Sequence, residues 1–560
     1  MKASDTQIFR FLEGSKQFAV PLFQRTYSWK EEHIRRFWDD LEETVTDISE
    51  ETKDEGESTH FFGSFVTLPT FSSPSAVPKY ILIDGQQRLV TTSIFLSLLR
   101  KRIADIDPES KMKDEIYDQY LVNKYCETPE DKYKIVPTQA DRDIFFSIVE
   151  DLAYAPRSEN RHLIAEAWRF FERELSRVDE LKDLRKLKDG VLRKFSVVDI
   201  CLEEDDDPYL IFESLNATGT PLTQSDLIRN YLFMRINTNN QQEVYDQIWF
   251  PMQQQLGSHL ETFLRHHIAL KDSIPSFRKI YKTFKKDADE NAKDEKSLIN
   301  LMKDLAKFSS YYCRFLYPEK ESEPRLRERF KKIRMLDVTT CYPLLMNLYN
   351  DYIDGNLSVQ ELSQMIRTIE TYIVRRAVCE IPPAPLNRFF PTVYRKIEKD
   401  SMVDSFEILL KKETGTTRMP TDDEFRTSLE ERDLYGNNIL RFLLEEIEMH
   451  DNKEPVDTSG LEIEHIMPET LSDKWKEELG DRWELIHQKY LHTLGNLTLT
   501  GYNQEYYNRT FIEKRDLEKG YKQSNLKLNR ELAKLRKWTD HDIKHRATRL
   551  SNTAMRIWSL

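Results

Sequence analysis

The sequence predicts a multidomain, mainly α-helical protein with α+β character at its two ends. Three observations carry this. The chain has 560 residues, too many for a single hydrophobic core. Charged residues make up 32% of it and glycines number only 15, a composition of solvated helices. Strand-like runs closed by turn residues are confined to residues 1–235 and 416–560. The elements divide into three segments: a mixed N-terminal domain (1–235), a helical scaffold (236–415) and a mixed C-terminal domain (416–560).

Bulk properties narrow the class further. No apolar run of about 18 residues exists, so no transmembrane helix is expected. The start, MKASDTQIFRFLEGS, lacks the apolar core of a signal peptide. Cys126, Cys201, Cys313, Cys341 and Cys379 are far apart with no Cys-x-x-Cys spacing, which argues against structural zinc and disulfides and points to the cytoplasm. The net charge is −13, but acid is concentrated in SEETKDEGES (49–58) and EEDDD (203–207). Residues 509–560 hold 14 lysines and arginines against 6 acids. That basic end is either an exposed helix face or a DNA-facing surface of an acidic protein.

In the N-terminal segment, FAVPLFQRTYSWK (18–30) reads as a short strand and a Pro-bearing turn. Ile34, Phe37, Trp38, Leu41 and Val45 then recur at helical spacing. HFFGSFVTLP (60–69) and KYILI (79–83) read as strands, 87–101 as a helix, 113–195 as helical and FSVVDICLE (195–203) as a strand. Residues 207–235 read as helix, loop, helix around Asn216-Ala217-Thr218-Gly219-Thr220-Pro221.

Within YILIDGQQRLVTT (80–92), an apolar strand ends in Asp84-Gly85-Gln86-Gln87-Arg88 and a helix follows. A capped turn explains Asp84 and Gly85. It gives no reason for two adjacent amides and an arginine in the first helical turn, where the dipole disfavours a cation. An anion bound at the helix start supplies that reason. No G-x-x-x-x-G-K-[ST] occurs, so such a site is not a P-loop.

Residues 236–415 are helical almost throughout and carry no chemical motif; KKDADENAKDEKS (285–297) reads as an exposed loop. No repeat of fixed period is present. After about residue 416, LEIEHIMPE (461–469) reads as a strand ended by Pro468, LGNLTLT (494–500) as a second strand and 508–519 as a helix. Glu464 and His465 stand side by side at the first strand end, Asn496 begins the second strand, and Asn503 follows. A carboxylate and an amide oxygen suit Mg²⁺ or Mn²⁺. A neutral histidine beside such an ion can take a proton from the water that attacks a phosphodiester.

The order His, Asn, Asn on a β-β-α unit resembles the HNH nucleases. The resemblance makes His465 the general base and Glu464 a metal ligand. It makes Asn496 the residue that ties the strands together and orients the histidine, with Asn503 the second ligand and Asn508 its competitor. Glu464 and His465 serve one ion only if the strand breaks between them. Glu462 is a further ligand or a plain exposed acid.

VPLFQRTYSW (20–29), DGQQRL (84–89), IFESLNATGTPLTQSDLIRN (211–230) and EHIMPE with GNLTLT (464–469, 495–500) together resemble the single-chain GmrSD-type, modification-dependent (type IV) restriction endonucleases. The resemblance implies a ParB/sulfiredoxin-like N-terminal domain that binds and hydrolyses a nucleoside triphosphate, with GTP, UTP and ATP left open. Gln24, Arg25, Asp84, Gly85, Gln86, Gln87 and Arg88 would line its phosphate site, and Asn216, Gly219 and Asp226 would close it. The alternatives are that Asp226 only caps its helix and Arg25 only pairs with an acid. Tyr27 and Trp29 are read as core aromatics, with base stacking the other option. The C-terminal domain would be a ββα-metal HNH nuclease acting on modified double-stranded DNA in phage defence. The modification is a bulky base adduct or a backbone phosphorothioate. A membrane partner is not expected, and a homodimer is left open. The rival readings are a nucleotide-gated DNA clamp without cleavage and a phosphodiesterase acting on RNA or a small nucleotide.

Overall fold

The computed structural model describes residues 1–22, 24–50, 59–70, 77–151, 162–203, 206, 223–271, 273–454 and 456–559. The chain is mainly helical and forms two compact units. One comprises Met1–Pro251 with Phe284–Met302, the other Met252–Thr283 with Lys303–Leu560.

The first unit is built on one mixed sheet. Its strands are β1 (Lys2–Gln7), β2 (Gln17–Ala19), β3 (His60–Thr70), β4 (Lys79–Asp84), β5 (Ile135–Val136) and β6 (Phe195–Cys201), in the order β1-β6-β3-β4-β2-β5. β3 runs antiparallel to β4 and parallel to β6, while β2 runs parallel to both β4 and β5. β4 hands the chain directly to the helix Gln86–Ile106, which buries Leu89, Val90, Ile94, Phe95, Leu96, Leu98 and Leu99. A helix apolar on nearly every side belongs inside a domain, and this one is central. Phe37 packs edge-on against Phe95, Phe171 and Phe195 at 5.6–5.8 Å between ring centroids, joining helices to sheet.

Three elements differ from the sequence expectation. β1 was not foreseen because KASDTQ is polar and largely exposed; its pairing with β6 at the sheet edge holds it there. β5 is a two-residue strand inside a stretch read as helical, too short to carry a period. Residues 285–297 are not a loop. The helix Ile280–Asn291 runs through their first half and Glu295–Leu316 begins in their second. The deciding signal was Ile280, Phe284, Ala288 and Ala292, buried at four-residue spacing, with the two large members ahead of the charged run and only alanines within it.

Among its described residues the second unit is helical apart from one antiparallel pair, β7 (Glu462–His465) with β8 (Leu497–Thr500). Two cores grip this pair. Leu494, Leu497 and Leu499 join Val374, Val378, Phe425, Leu440, Leu444, Leu550 and Trp558. Ile466 and Met467, just past β7, join Trp475, Tyr506, Phe511, Tyr521, Trp538 and Ile543. The helix Val359–Val378 is thus part of the core that carries β8, and Arg375 Nε donates to Trp558 O at 2.9 Å. Among the described residues no helix is long and apolar enough to cross a membrane.

Candidate functional site

β7 alternates its side chains, so Glu464 and His465 leave on opposite faces. Glu464 turns inward onto the helix Phe511–Asp516, where Lys514 Nζ donates to its Oε1 at 2.5 Å. The same ammonium donates to the carbonyls of His465 at 2.8 Å and Ile466 at 3.2 Å. Both side chains are buried, Lys514 completely. Burial pushes the Glu464 carboxyl up and the Lys514 ammonium down, and their contact opposes both shifts.

His465 turns the other way. Its Nε2 lies 3.0 Å from Nδ1 of His492, so the two rings share one hydrogen. Its Nδ1 lies 3.8 Å from Glu469 Oε1. Tyr435 stacks on the His492 ring at 5.3 Å and approaches the His465 ring to 4.3 Å. Burial, with smaller electrostatic contributions from His492, Lys514 and His487, lowers the His465 pKa to about 3. The imidazole is therefore neutral at pH 7, with a lone pair to offer.

Asn496 holds the turn after β7. Its Oδ1 accepts from Met467 N at 2.8 Å and Trp538 Nε1 at 3.1 Å, and its Nδ2 donates to Met467 O and Leu491 O at 2.9 Å. Its own carbonyl accepts from Ile466 N at 2.9 Å. Every polar capacity of this buried amide is spent on backbone or on Trp538. The approach to β8 is equally fixed. A Cβ on Gly495 would lie 2.3 Å from Ile543 O, so only glycine lets the last helix come this close. From that helix, Asp540–Ile557, Arg546 donates to the carbonyls of Leu494, Gly495 and Leu497. Lys514 and Arg546, counted from sequence as part of a basic surface, are thus interior struts.

The structure places Asn496 against the turn after His465, where its side chain bonds Met467, Leu491 and Trp538 rather than the histidine, and it leaves Glu464 and Asn503 apart from the His465 ring. Asn503 Nδ2 donates to the exposed Glu462 Oε2 at 3.2 Å, and Asn508 lines a separate surface groove with Lys474 and Glu513. The two-ligand set read from the sequence therefore does not converge. The strand stays regular up to His465, and a buried ammonium already satisfies Glu464. Glu469, His492 and Lys514 were missed. Glu469 and His492 sit four residues beyond His465 and four before Asn496, a spacing that could have been noticed; nothing in the sequence marks Lys514 as the partner of Glu464.

In the first unit, Gly85 adopts φ 93°, and a Cβ there would meet Phe65 Cδ1 at 2.2 Å. The two amides after it have structural partners. Gln86 Nε2 donates to Arg25 O at 2.8 Å, while Gln87 Oε1 accepts from Ser28 N at 2.7 Å and its Nε2 donates to Thr26 O. Gln24 Nε2 donates to Ile83 O at 3.2 Å. These amides strap residues 24–28 onto the β4-to-helix junction. Tyr27, buried with its hydroxyl 2.7 Å from Thr91 Oγ1, belongs to the core, and the half-buried Trp29 packs against it.

The charged residues remain beside this strap. Arg88 donates to Ser64 O at 2.6 Å and to Asp84 Oδ2 at 3.3 Å, and its buried Nε has no partner among the described residues. Asp226 forms a capping box with Thr223 and an ion pair with Arg229 at 2.7 Å. Arg25 is half-buried. Burial lowers its pKa, with Asp226 and Asp84 opposing that shift and Arg229 adding to it. So Arg25, Asp84, Arg88 and Asp226 share one polar locality. Asn216 and Gly219 lie outside the described residues.

A family model described as the GmrSD restriction endonuclease N-terminal domain matches residues 8–233, and one described as the GmrSD restriction endonucleases C-terminal domain matches residues 419–553. The chain belongs to the GmrSD restriction endonuclease family. No curated protein matches the chain. Membership carries restriction endonuclease activity in phage defence, with DNA as partner. The N-terminal GmrSD segment contains β2 through β6 and the Asp84–Arg88 junction; the C-terminal GmrSD segment contains β7, β8, His465 and Asn496.

Proposed function

We propose that this GmrSD endonuclease cuts double-stranded DNA at an HNH-type site in its C-terminal segment, with His465 as general base. Its ParB/sulfiredoxin-like N-terminal segment gates that cut through modified DNA and a nucleoside triphosphate. The observation that carries the reading is the neutral, buried His465, at the end of a strand whose next turn is locked by Asn496. A base must hold its lone pair at working pH and must not swing; the neutral ring and the fixed turn support that role, although burial makes this imidazole a weaker proton acceptor than a free one. His465 takes the proton of the attacking water, while Asn496 and Arg546 keep β7 and the approach to β8 in register.

Mg²⁺ or Mn²⁺, expected from the HNH resemblance, would offset charge at the scissile phosphate when bound. Glu464 and Asn503 do not fit as its ligands, so the steps attributed to the protein run through His465 and Asn496 alone. For the nucleotide, the support is the gathering of Arg25 and Arg88, whose Nε has no partner among the described residues, at a helix start.

The test is a cleavage assay on modified and unmodified DNA, with and without GTP, UTP or ATP, in Mg²⁺, Mn²⁺ or EDTA. Cutting that needs modification and a divalent ion and responds to nucleotide is expected. Cutting by the folded His465→Ala chain at the normal rate would overturn the assignment.

A further inference from the structure

We propose that His465, His492 and Glu469 form a site for one borderline divalent transition-metal cation, Zn²⁺ or Co²⁺ in chemistry, on the face of β7 opposite Glu464. The inference rests on the reading of His465 as the centre of the nuclease site and adds a regulator to it.

One ligand atom from each of these residues lies within 4.8 Å of the other two. The closest pair, His465 Nε2 and His492 Nδ1, is 3.0 Å apart. Ligands of a tetrahedral ion at about 2.0–2.1 Å stand about 3.3 Å from each other, so a cation replaces the shared hydrogen with a small opening of the rings. The rings are held for this. Tyr435 packs on both, and the His492 carbonyl accepts from Leu434 N at 3.0 Å. Glu469 lies on the solvent side and is 58% exposed, which leaves a path in and an open fourth position.

Ligand type sets the choice of metal. Two imidazoles and one carboxylate favour Zn²⁺ or Co²⁺ over Mg²⁺, which prefers oxygen ligands and retained water. The other face of β7 excludes a cation, because the Lys514 ammonium already occupies the Glu464 carboxylate and two carbonyls. The two faces thus divide the work, with a fixed ammonium inside and an exchangeable ion outside.

The consequence is regulatory. The lone pair that a cation takes on His465 is the one a base needs, so the bound ion and proton transfer at His465 exclude each other. Zn²⁺ at this site holds the nuclease off even in Mg²⁺, and a chelator that removes Zn²⁺ while sparing Mg²⁺ releases it.

Binding is read on the full chain by the visible d–d spectrum of Co²⁺ and by its displacement with Zn²⁺. One ion per chain is expected. Glu469→Gln, at an exposed position that leaves folding intact, should weaken binding by at least about 10–100-fold, and His492→Ala by as much or more. Asn503→Ala should leave binding unchanged. Unchanged Co²⁺ binding in both Glu469→Gln and His492→Ala, or loss of it in Asn503→Ala, overturns the site. Zn²⁺ that binds with the expected ligand dependence yet leaves cleavage in Mg²⁺ at full rate overturns the regulatory role. A chain that binds Co²⁺ as expected but cuts no DNA under any condition overturns the nuclease reading and leaves the metal site standing.

Discussion

At the end of β4 the run Asp84-Gly85-Gln86-Gln87-Arg88, and at the end of β7 the run Glu464-His465 with Glu469 close behind, both replace apolar strand with polar groups. Their hydrogen-bond capacity is spent differently. After β4, Gln86 and Gln87 give their amides to the backbone of residues 25–28, and Arg88 spends NH2 on Ser64 O and Asp84. After β7, Lys514 and Asn496 absorb the structural duties, and the His465 ring nitrogens face His492 and Glu469 while Tyr435 packs against the ring. A group whose capacity is exhausted by its own chain builds shape; a group left with a lone pair in a rigid frame is available for chemistry. Sequence alone cannot separate the two cases, because partners lie up to 61 residues away in one case and 50 in the other.

The largest effect expected from this contrast is at His465. His465→Ala should lower cleavage by about 10²–10⁴-fold, with circular dichroism and nucleotide turnover unchanged. Its titration sharpens the point. In the unfolded chain this imidazole takes a proton near pH 6.5, but in the folded one not until about pH 3. Its neutral form therefore stabilises the fold fully above pH 6.5, and that contribution shrinks as pH falls toward 3. A pH profile of kcat/KM should show no acid limb near 6.5 from His465. A limb there would mean that the base is another group.

The Glu464–Lys514 pair comes next, and its role is structural. Lys514→Met leaves a buried carboxylate without its partner, which commonly costs about 3–5 kcal/mol. The double variant Glu464→Gln with Lys514→Met should recover most of that loss in thermal or urea unfolding. If the double variant is as unstable as the single one, the backbone carbonyls of His465 and Ile466 are what require the ammonium. Near the β4 end, Arg25→Ala should weaken triphosphate binding by roughly tenfold or more, the scale of one charged contact to phosphate. Unchanged affinity by calorimetry would move the nucleotide away from this locality.

Much of the architecture was legible, and the reasons differ by element. β3, β4 and β6 show as apolar runs bounded by turn residues, and the helix after β4 shows by its near-continuous apolar pattern. β7 and β8 were legible because Pro468 and Gly495 punctuate them. His465 and Asn496 could be singled out in the sequence because adjacent acid and histidine with a distant asparagine form a recognisable order, and their catalytic roles rest on the proposal above. Glu464 was misassigned because strand alternation sends it inward, and nothing in NRTFIEKR says that Lys514 waits there. The helix Val359–Val378 shares a core with β8, a long-range packing fact that local periodicity does not encode.

The smallest effect tests the other side of the contrast, the claim that the two adjacent glutamines are structural. Gln87 accepts from Ser28 N at 2.7 Å and donates to Thr26 O at 3.4 Å, so its removal strands a backbone donor in a partly buried place. An unsatisfied donor of that kind costs about 1–3 kcal/mol, and the short bond to Ser28 makes up most of it. Gln87→Ala should therefore lower the thermal transition of the N-terminal unit by a few degrees and make residues 24–28 more sensitive to protease. Nucleotide affinity should fall only as far as that strap loosens, because Arg25 reaches the locality from the strap itself. Gln87→Glu separates the two roles. A carboxylate still accepts from Ser28 N, so stability should largely return, whereas a glutamine that contacted phosphate would become repulsive. Restored stability with unimpaired triphosphate binding confirms Gln87 as a strap. Restored stability with binding abolished would make it a ligand and would break the contrast between the two strand ends.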